Sequence, residues 1–257
     1  MIGGKIITAV HIRNGSLRWP VDANLSQKLV GHEVLRVERR GKYLLFRFSQ
    51  GTLIIHLGMS GFFRLLKARG VADRHDHIDL VFDGDLCLRY NDTRRFGAFL
   101  WTDSDSSEHP LLKNLGPEPL CASLDGAYLF KRSRGGRVSV KNFLMDQNVV
   151  AGVGNIYASE TLFQAGILPD RRAGDLNLDD WTCVVAALMD VLSTAVNAGN
   201  QTLDPFFSGH ADIKLGYFPL NFKVYDRQGE PCPRCGTPLA KFIQGGRASY
   251  FCPGCQR

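Results

Sequence analysis

The 257-residue sequence predicts an α+β protein, in which an N-terminal antiparallel β-sandwich is followed by a helical domain and a small cysteine-rich hairpin. Three observations predict this order. Apolar and polar residues alternate in short segments through the first part of the chain, the apolar spacing then becomes helical, and two Cys-x-x-Cys pairs stand near the end. A period of two is typical of half-buried strands, and a period of about 3.6 is typical of helices.

The strands are predicted from paired alternating segments. Residues 44–57 contain two such segments on either side of Ser49-Gln50-Gly51, and residues 78–90 contain two more on either side of Asp83-Gly84. Asp-Gly between alternating segments is a strong signal for a hairpin turn. Short strands at this spacing indicate an antiparallel sandwich or barrel.

The domain boundaries are predicted from changes in composition. Residues 103–108 form a polar segment, and Gly116-Pro117-Glu118-Pro119 is a stiff connector. We therefore expect the sandwich at residues 1–112, the helical domain at 113–227 and the cysteine-rich module at 228–257.

The helices are predicted from apolar stripes and from end signals. Asn177 is a plausible N-cap, two aspartates follow in the first turn, and Gly199 stands where this helix is expected to stop. The stripe between these ends consists of Trp181, Val184, Leu188, Val191 and Ala195. Residues 139–147 and 155–165 are predicted as shorter helices, joined by a glycine-containing segment.

The composition excludes several classes of protein. With 44% hydrophobic and 22% charged residues, the chain is not a disordered tail, a collagen-like repeat or a coiled coil. No uninterrupted apolar run approaches the ~20 residues that cross a bilayer, and the first residues lack the pattern of a secretory signal. We therefore expect a cytoplasmic protein with no membrane partner. A net charge of +6 favours a polyanionic partner.

Four of the seven cysteines have the spacing of a structural zinc site. They are Cys232, Cys235, Cys252 and Cys255, and 16 residues separate the two pairs. Two such pairs place four thiolates on one tetrahedral Zn²⁺ with no open position, so the metal is expected to stabilise the hairpin and not to catalyse. A redox Cys-x-x-Cys is the alternative, but it requires a neighbouring βαβ pattern, which is absent. Cys87, Cys121 and Cys183 are expected to serve packing.

Two neighbouring features favour a phosphate ligand. Residues 151–155 place Gly-x-Gly directly before a predicted helix, where free backbone N–H groups suit an anion, although such a pattern is also common in a plain tight turn. Residues 126–145 carry five cations (Lys131, Arg132, Arg134, Arg137 and Lys141) and no acid. Alone, this stretch is equally well a solvated face. Together, the two features favour a nucleic-acid backbone.

Several longer segments resemble the formamidopyrimidine-DNA glycosylase/endonuclease VIII family. FLMDQNVVAGVGNIYASETLFQAGILPDRR resembles its helix–two-turns–helix, and CPRCG…GGRASYFCPGCQ resembles its zinc finger. RRGKYLLFRF, LIIHLGMSGFFR, RHDHIDLVF, NDTRRFGAFLW and LGPEPL are similar, in order, to the formamidopyrimidine-DNA glycosylase branch. The resemblance covers nearly the whole chain.

The resemblance implies base-excision DNA repair. Family enzymes flip an oxidised purine, such as oxoguanine or a formamidopyrimidine, out of duplex DNA, cut its glycosidic bond and cleave the abasic strand by β- and δ-elimination. The implied partner is double-stranded DNA with oxidised or abasic nucleotides, bound in a basic cleft between two domains. The implied cofactor is one structural Zn²⁺, and the implied setting is a monomer in the bacterial cytoplasm, associated with the nucleoid when bound to DNA.

The resemblance also implies roles for single residues in the sandwich. Lys42 matches a lysine that contacts phosphate and donates a proton during elimination, or else is a surface lysine. Met59 matches a wedge that fills the void left by the flipped base, or else is a core methionine. Arg94 and Phe96 match a pair that occupies the same gap, with the arginine facing the orphaned cytosine, or else form an ordinary turn. His56 is expected close to the DNA backbone, with a structural histidine as the alternative.

Further roles are implied elsewhere in the chain. His75 matches a DNA-contacting position, or else lies in an exposed loop. Asn155 is expected to cap its helix and bind phosphate. Arg247 is expected to enter the site from the finger tip, hold phosphate and assist δ-elimination. A basic contact position of the family is Gly136 here, and Arg137, or its neighbour Arg134, stands close enough to replace it.

One departure concerns the chemistry. Family enzymes begin, after loss of Met, with Pro-Glu-Leu-Pro-Glu, whose proline amine is the nucleophile, whereas this sequence begins Met1-Ile2-Gly3-Gly4 and has Asp22 as its first acid. Two hypotheses follow: an enzyme whose start has been lost, and a paralogue that binds damaged DNA without Schiff-base chemistry. A third is a zinc-ribbon module for RNA or protein on a β-sandwich. Lesion choice is expected to depend on loops such as residues 208–217.

Overall fold

The computed structural model describes residues 2–67, 69–207, 213–215 and 221–257. These residues divide into two compact units. The first is formed by the described residues up to Lys113 together with Gln201–Phe207 and Ile213–Leu215, and the second by Asn114–Asn200 and the described residues from 221 onward.

The first unit is built from two antiparallel sheets. One has the strand order β1-β6-β7-β5-β9 and the other the order β2-β3-β4-β8. The strands of the first are β1 (Ile7–Ile12), β5 (Phe62–Leu66), β6 (Asp76–Phe82), β7 (Leu86–Asn91) and β9 (Ile213–Leu215). Those of the second are β2 (Arg36–Arg40), β3 (Tyr43–Phe48), β4 (Gly51–His56) and β8 (Ala98–Thr102), and a short helix, α1 (Leu25–Leu29), lies between β1 and β2. Because buried side chains of both sheets share one core, the predicted antiparallel sandwich is confirmed.

The two predicted hairpins of this unit are present. Strands β3 and β4 pair up to Phe48 and Gly51, and β6 and β7 pair up to Phe82 and Leu86. In the second hairpin the turn residues Gly84 and Asp85 both have positive φ, of 72° and 57°. Glycine and aspartate tolerate this conformation, so the left-handed pair of the turn is Gly84-Asp85, one position after the Asp83-Gly84 pair that predicted it.

The second unit is helical and ends in a hairpin. Its helices are α2 (Gly126–Ser133), α3 (Val140–Met145), α4 (Asn155–Ala165) and α5 (Leu178–Phe207), of which the residues from Gln201 onward belong to the first unit. Its strands are β10 (Ala240–Gln244) and β11 (Arg247–Phe251). The predicted cap of α5 is confirmed, because the Asn177 Oδ1 accepts a hydrogen bond from the Asp180 N–H at 2.8 Å. Buried residues of these helices form one core around Trp181.

The predicted end of α5 at Gly199 is wrong, because the helix continues to Phe207. A glycine ends a helix readily when it adopts the left-handed conformation, as Gly166 does after α4 with a φ of 73°. Gly199 keeps helical geometry instead. The helix therefore loses about 1 kcal/mol of propensity at this position without stopping.

One helical segment among the described residues, Leu178–Gly199, is long and apolar enough to span a bilayer by length and composition, with a mean hydropathy of 1.5. Its Trp181, Val184 and Leu188 side chains lie in the core of the second unit. One face of this helix therefore packs in that core, and 33% of the segment is buried.

Candidate nucleic-acid interface and zinc centre

The four cysteines of the two Cys-x-x-Cys pairs converge. Their sulfur atoms all lie within 4.8 Å of one another, with Cys232 and Cys255 at 3.8 Å and Cys235 and Cys252 at 3.5 Å. Tetrahedral zinc with Zn–S bonds of about 2.3 Å requires sulfurs about 3.8 Å apart, so the residues present fit the metal.

The hairpin between the cysteine pairs has Arg247 at its tip. Gly245 and Gly246 form the two-residue turn with φ of 55° and 72°, values that an L-residue with a side chain rarely adopts. Arg247 directly follows this turn as the first residue of β11, and its side chain is exposed. The predicted hairpin tip is therefore confirmed.

Lys141 departs from the sequence prediction. It was expected among the cations that face a nucleic acid, but it is 1% exposed and donates hydrogen bonds to the Ala248 carbonyl at 2.7 Å and the Ser249 hydroxyl at 2.8 Å. Burial, and then the nearby charge of Arg247, lowers the pKa of Lys141 to about 8. Lys141 thus attaches β11 to α3 directly beneath the hairpin tip.

A second attachment fixes the first cysteine pair. Arg234 donates to the Phe163 carbonyl at 3.0 Å and the Gln164 carbonyl at 3.1 Å, and its guanidinium lies 4.5 Å from the centroid of the Phe163 ring. These carbonyls belong to the last turn of α4, where carbonyls lack the usual i+4 partner, and that of Phe163 also accepts from the Gly166 N–H at 3.2 Å. Together with Lys141, Arg234 holds the zinc module against the helical domain at two places.

The glycine loop precedes α4 as predicted, but Asn155 does not cap the helix. Gly154 occupies the N-cap position, Asn155 is the first helical residue, and no side-chain cap bond is present. The Asn155 Oδ1 is buried and has no hydrogen-bond partner among the described residues. The loop is instead held by Gln147, which donates to the Val153 carbonyl at 3.0 Å and accepts from the Gly152 N–H at 2.8 Å.

The two arginines beside Gly136 differ in availability. Arg134 donates to the Gly174 carbonyl and lies 4.7 Å from the centroid of the Phe130 ring. Arg137 is exposed and has no hydrogen bond or ion pair with another described residue. Of the pair, Arg137 is therefore the side chain available to a ligand.

In the sandwich, Met59, Arg94 and Phe96 form one exposed cluster. Met59 is 72% exposed and Phe96 is 46% exposed, which excludes a core methionine at position 59. The Arg94 guanidinium lies 5.5 Å from the centroid of the Phe96 ring. A Cβ on Gly58 would lie 2.6 Å from the Phe96 carbonyl carbon, so only glycine allows the Met59 loop to lie against the Phe96 loop.

Asp92 joins these two loops, and sequence reasoning missed it. Its buried carboxylate accepts hydrogen bonds from the Ser60 hydroxyl at 2.6 Å and the Gly97 N–H at 2.9 Å. Burial by itself raises the pKa of Asp92, but these bonds, with one from the Tyr90 hydroxyl, outweigh it and the pKa is lowered. A charged Asp92 therefore holds the loops together. In the sequence, the only indication of this role is that Asp92 stands directly before Thr93-Arg94-Arg95.

His56 shows the geometry of the structural alternative. Its Nδ1 accepts a hydrogen bond from the Gly58 N–H at 2.9 Å, and its ring lies 5.0 Å from that of Tyr43. Burial, followed by the positive charges of Lys42 and Arg18, lowers the pKa of His56. The imidazole is therefore neutral near pH 7 and supports the start of the Met59 loop. Lys42 is exposed in the turn between β2 and β3.

His75 and Arg95 flank the same cluster. His75 is half-buried, and its carbonyl accepts a hydrogen bond from the Asp92 N–H at 3.0 Å. Arg95, which sequence reasoning also missed, is exposed and has a φ of 57°. A left-handed conformation is uncommon for a residue other than glycine and often marks a functional turn.

Three known family domains match successive parts of the chain. The formamidopyrimidine-DNA glycosylase N-terminal domain matches residues 1–99, the formamidopyrimidine-DNA glycosylase H2TH domain matches residues 115–206, and a zinc finger found in FPG and IleRS matches residues 229–257.

Individual proteins and solved structures are also similar to this chain over most of their length. A formamidopyrimidine-DNA glycosylase of Methylococcus capsulatus is 49% identical over 256 residues, which are 100% of this chain and 94% of the relative. One from Hydrogenovibrio crunogenus is 47% identical, over 100% of this chain and 91% of the relative. Among solved structures, Lactococcus lactis Fpg with abasic-site DNA and with FAPY-dG DNA both match with a TM-score of 0.86 and 30% identity, over 100% of this chain and 94% of the other.

Proposed function

The chain belongs to the formamidopyrimidine-DNA glycosylase family, and on that premise we propose that it acts in base-excision repair of duplex DNA carrying oxidised purines or abasic sites. The exposed cluster of Met59, Arg94 and Phe96 carries this proposal. Large apolar side chains that cost free energy in water, held on loops fixed by a buried carboxylate, are suited to insertion into a base stack.

The wedge has a definite task in base flipping. Extruding a base costs a few kcal/mol of stacking and pairing, least for a damaged or missing base. Met59 and Phe96 would occupy the space that the base leaves, and their removal from water offsets part of this cost. Arg94, which lies against Phe96, would offer guanidinium donors to the orphaned pyrimidine.

The DNA backbone would be held by cations from both units. We assign Lys42 of the sandwich, Arg137 beside α2 and Arg247 at the hairpin tip to phosphate contacts, in keeping with their exposure. Asn155 and the N–H groups of the first turn of α4 would bind a further phosphate. Of the Asn155 side chain, the Nδ2 amide would donate to this phosphate, because the buried Oδ1 is an acceptor.

Zinc would serve the fold and not the reaction. Four thiolates fill a tetrahedral coordination shell, so the ion supplies folding free energy to the hairpin and leaves no position for a substrate. Lys141 and Arg234 attach the ordered zinc module to the helices, and this would fix the position of Arg247.

Two forms of the proposal differ in chemistry. In the first, the protein cuts the glycosidic bond and cleaves the strand, which requires an amine that attacks the sugar, with Lys42 and Arg247 assisting proton transfer and phosphate departure. In the second, it binds lesions without a covalent step. The Lys141 amine, whose pKa is lowered to about 8, is buried and hydrogen-bonded, so it is not placed to attack a sugar.

Borohydride trapping on an abasic duplex separates the two forms. The 257-residue protein is mixed with labelled duplexes that carry an abasic site, an oxoguanine or no damage, and covalent adducts and binding are measured in parallel. An adduct supports the first form and refutes binding alone. Preferential binding of damaged duplexes without an adduct supports the second. Equal binding of damaged and undamaged duplexes refutes the proposal in both forms.

Other expectations stay proposals. We propose that the protein works as a monomer in the bacterial cytoplasm, on nucleoid DNA. Of the loop 208–217 that was expected to set lesion preference, the residues other than Ile213–Leu215 lie outside those described, so the preferred oxidised base is a matter for the binding assay.

A further inference from the structure

A cluster of buried charges lies on β6 and β7 of the five-stranded sheet. Asp76, Asp79 and Arg89 are 2%, 0% and 1% exposed. Asp79 and Arg89 are cross-strand partners, and their sequence neighbours Ile78, Leu80 and Leu88 face the sandwich core. Because successive side chains of a strand alternate between faces, the charged pair lies on the opposite face of the sheet.

Arg89 binds the backbone of a neighbouring segment. Its guanidinium pairs with Asp79 at 2.8 Å and donates to the carbonyls of Arg69, Gly70 and Val71, the last at 2.7 Å. The Val71 side chain is 96% exposed, so burial of this side chain contributes little to holding the segment. The Arg89 guanidinium therefore holds this segment, together with the Arg69 side chain, which pairs with Asp79 at 3.4 Å.

Asp76 fixes the other end of this segment. Its carboxylate accepts hydrogen bonds from the Asp73 N–H at 2.7 Å and the Asn91 side chain at 2.8 Å, and it pairs with Arg64. Arg64 also pairs with Asp73 at 3.1 Å. The turn at 73–76 is thus closed by charges at a point where apolar contacts are few.

The closed turn places His75 next to the loops that hold Met59 and Phe96. The His75 carbonyl accepts a hydrogen bond from the Asp92 N–H at 3.0 Å, and Asp92 is the residue that joins the Met59 and Phe96 loops. Arg74, next to His75, is exposed and makes no hydrogen bond or ion pair with another described residue. A duplex whose stack receives the wedge would therefore have a phosphate strand beside Arg74 and His75.

We propose that Arg64, Asp76 and Arg89 are positioning residues that hold residues 69–75 so that Arg74 and His75 meet the DNA backbone beside the wedge. The inference rests on the proposed function, because it requires a duplex as the ligand. Asp76 and Arg89 are buried and do not touch DNA, so they act only through the segment that they hold. A preformed pair of hydrogen-bond donors binds phosphate without the entropy cost of ordering a loop.

Arg64→Lys tests this role, because it keeps the positive charge and removes the forked contact with Asp73 and Asp76. We expect about tenfold weaker binding of an abasic duplex, as for the loss of one charge-assisted hydrogen bond. Faster amide exchange is expected at residues 69–75, with little change in melting temperature. His75→Ala should also weaken binding, but in the Arg64→Lys background it should add less than about twofold, because both changes act on one contact.

Matched variants separate the outcomes. Arg36→Lys, at an exposed arginine that pairs with Glu38 at 2.7 Å, should bind as the wild type does. Asp73→Asn, at a carboxylate that is 72% exposed, is a milder form of the same change if Arg64→Lys folds poorly. Wild-type affinity in Arg64→Lys, or a loss that adds in full to that of His75→Ala, overturns the inference. Equal affinity of the wild type for damaged and undamaged duplexes refutes the proposed function instead, while the ratio of variant to wild type on one duplex still tests the cluster.

Discussion

Met59→Ala is the sharpest test of the wedge, because the side chain contributes little to the fold. It is 72% exposed. Full burial of a methionine side chain contributes about 1.5–3 kcal/mol, so the exposed fraction can gain about 1–2 kcal/mol on insertion into a base stack. This corresponds to a loss of about tenfold in affinity for an abasic duplex when the side chain is truncated. The buried remainder limits the loss of folding stability to less than about 1 kcal/mol.

The assay compares dissociation constants for three duplexes at one salt concentration: one with an abasic site, one with an oxoguanine and one undamaged. The loss should be confined to the damaged duplexes, because undamaged DNA offers no space for the side chain. Leu35→Ala, which truncates a side chain that is 50% exposed in the same sandwich, is the control and should change none of the three constants. An equal loss on undamaged DNA, or no loss on either damaged duplex, refutes the assignment of Met59 as a wedge.

Three further changes test the supports of the site. Lys141→Met should cost about 2 kcal/mol of unfolding free energy by leaving two acceptors unpaired, whereas exposed Lys131→Met should cost less than about 0.5. The pKa of Lys141 is lowered from 10.5 to about 8, so the stability of the wild type relative to Lys141→Met should rise as the pH increases from 8 through 10.5, as measured by denaturant unfolding. A stability difference that does not change with pH contradicts the lowered pKa. Cys252→Ser should abolish stoichiometric zinc in metal analysis and expose the hairpin to proteolysis, and retained zinc would show that the four thiolates are not the ligands. Asp92→Asn should weaken lesion binding and speed amide exchange in the Met59 and Phe96 loops, and unchanged binding would show that the carboxylate is not needed. In the wild type, the contribution of the Asp92 carboxylate to stability is full above a pH of about 4 and is lost as the pH falls through its lowered pKa.

Much of the local structure followed from short sequence patterns. The Asp83-Gly84 turn, the Asn177 cap and the two cysteine pairs were each predicted from residues that act on neighbours a few positions away. Such interactions depend on backbone conformation and spacing, which the sequence displays directly. The end of α5 was missed because glycine at position 199 permits either a stop or a continuation, and the choice depends on packing.

The environment of each charged side chain did not follow from the sequence. Lys141, Arg134 and Arg137 lie in one basic stretch and were indistinguishable by composition. Lys141 is buried and donates to a carbonyl 107 residues away, Arg134 donates to a carbonyl 40 residues away, and Arg137 is exposed. Asp92 likewise gains its importance from loops that meet only in the folded sandwich.

The sequence by itself determined the antiparallel sandwich, the helices α3 and α4, the start of α5, the zinc ligands and the segments that resemble a family of DNA glycosylases. These depend on periodicity, turn chemistry and residue identity, which are local. Only the tertiary structure decided that Met59 is exposed, that Asn155 does not cap its helix, and that Lys141 is buried beneath the hairpin tip. Whether a polar group faces water, a ligand or another segment depends on which distant parts of the chain pack against it, because burial without a partner costs more free energy than a local preference supplies.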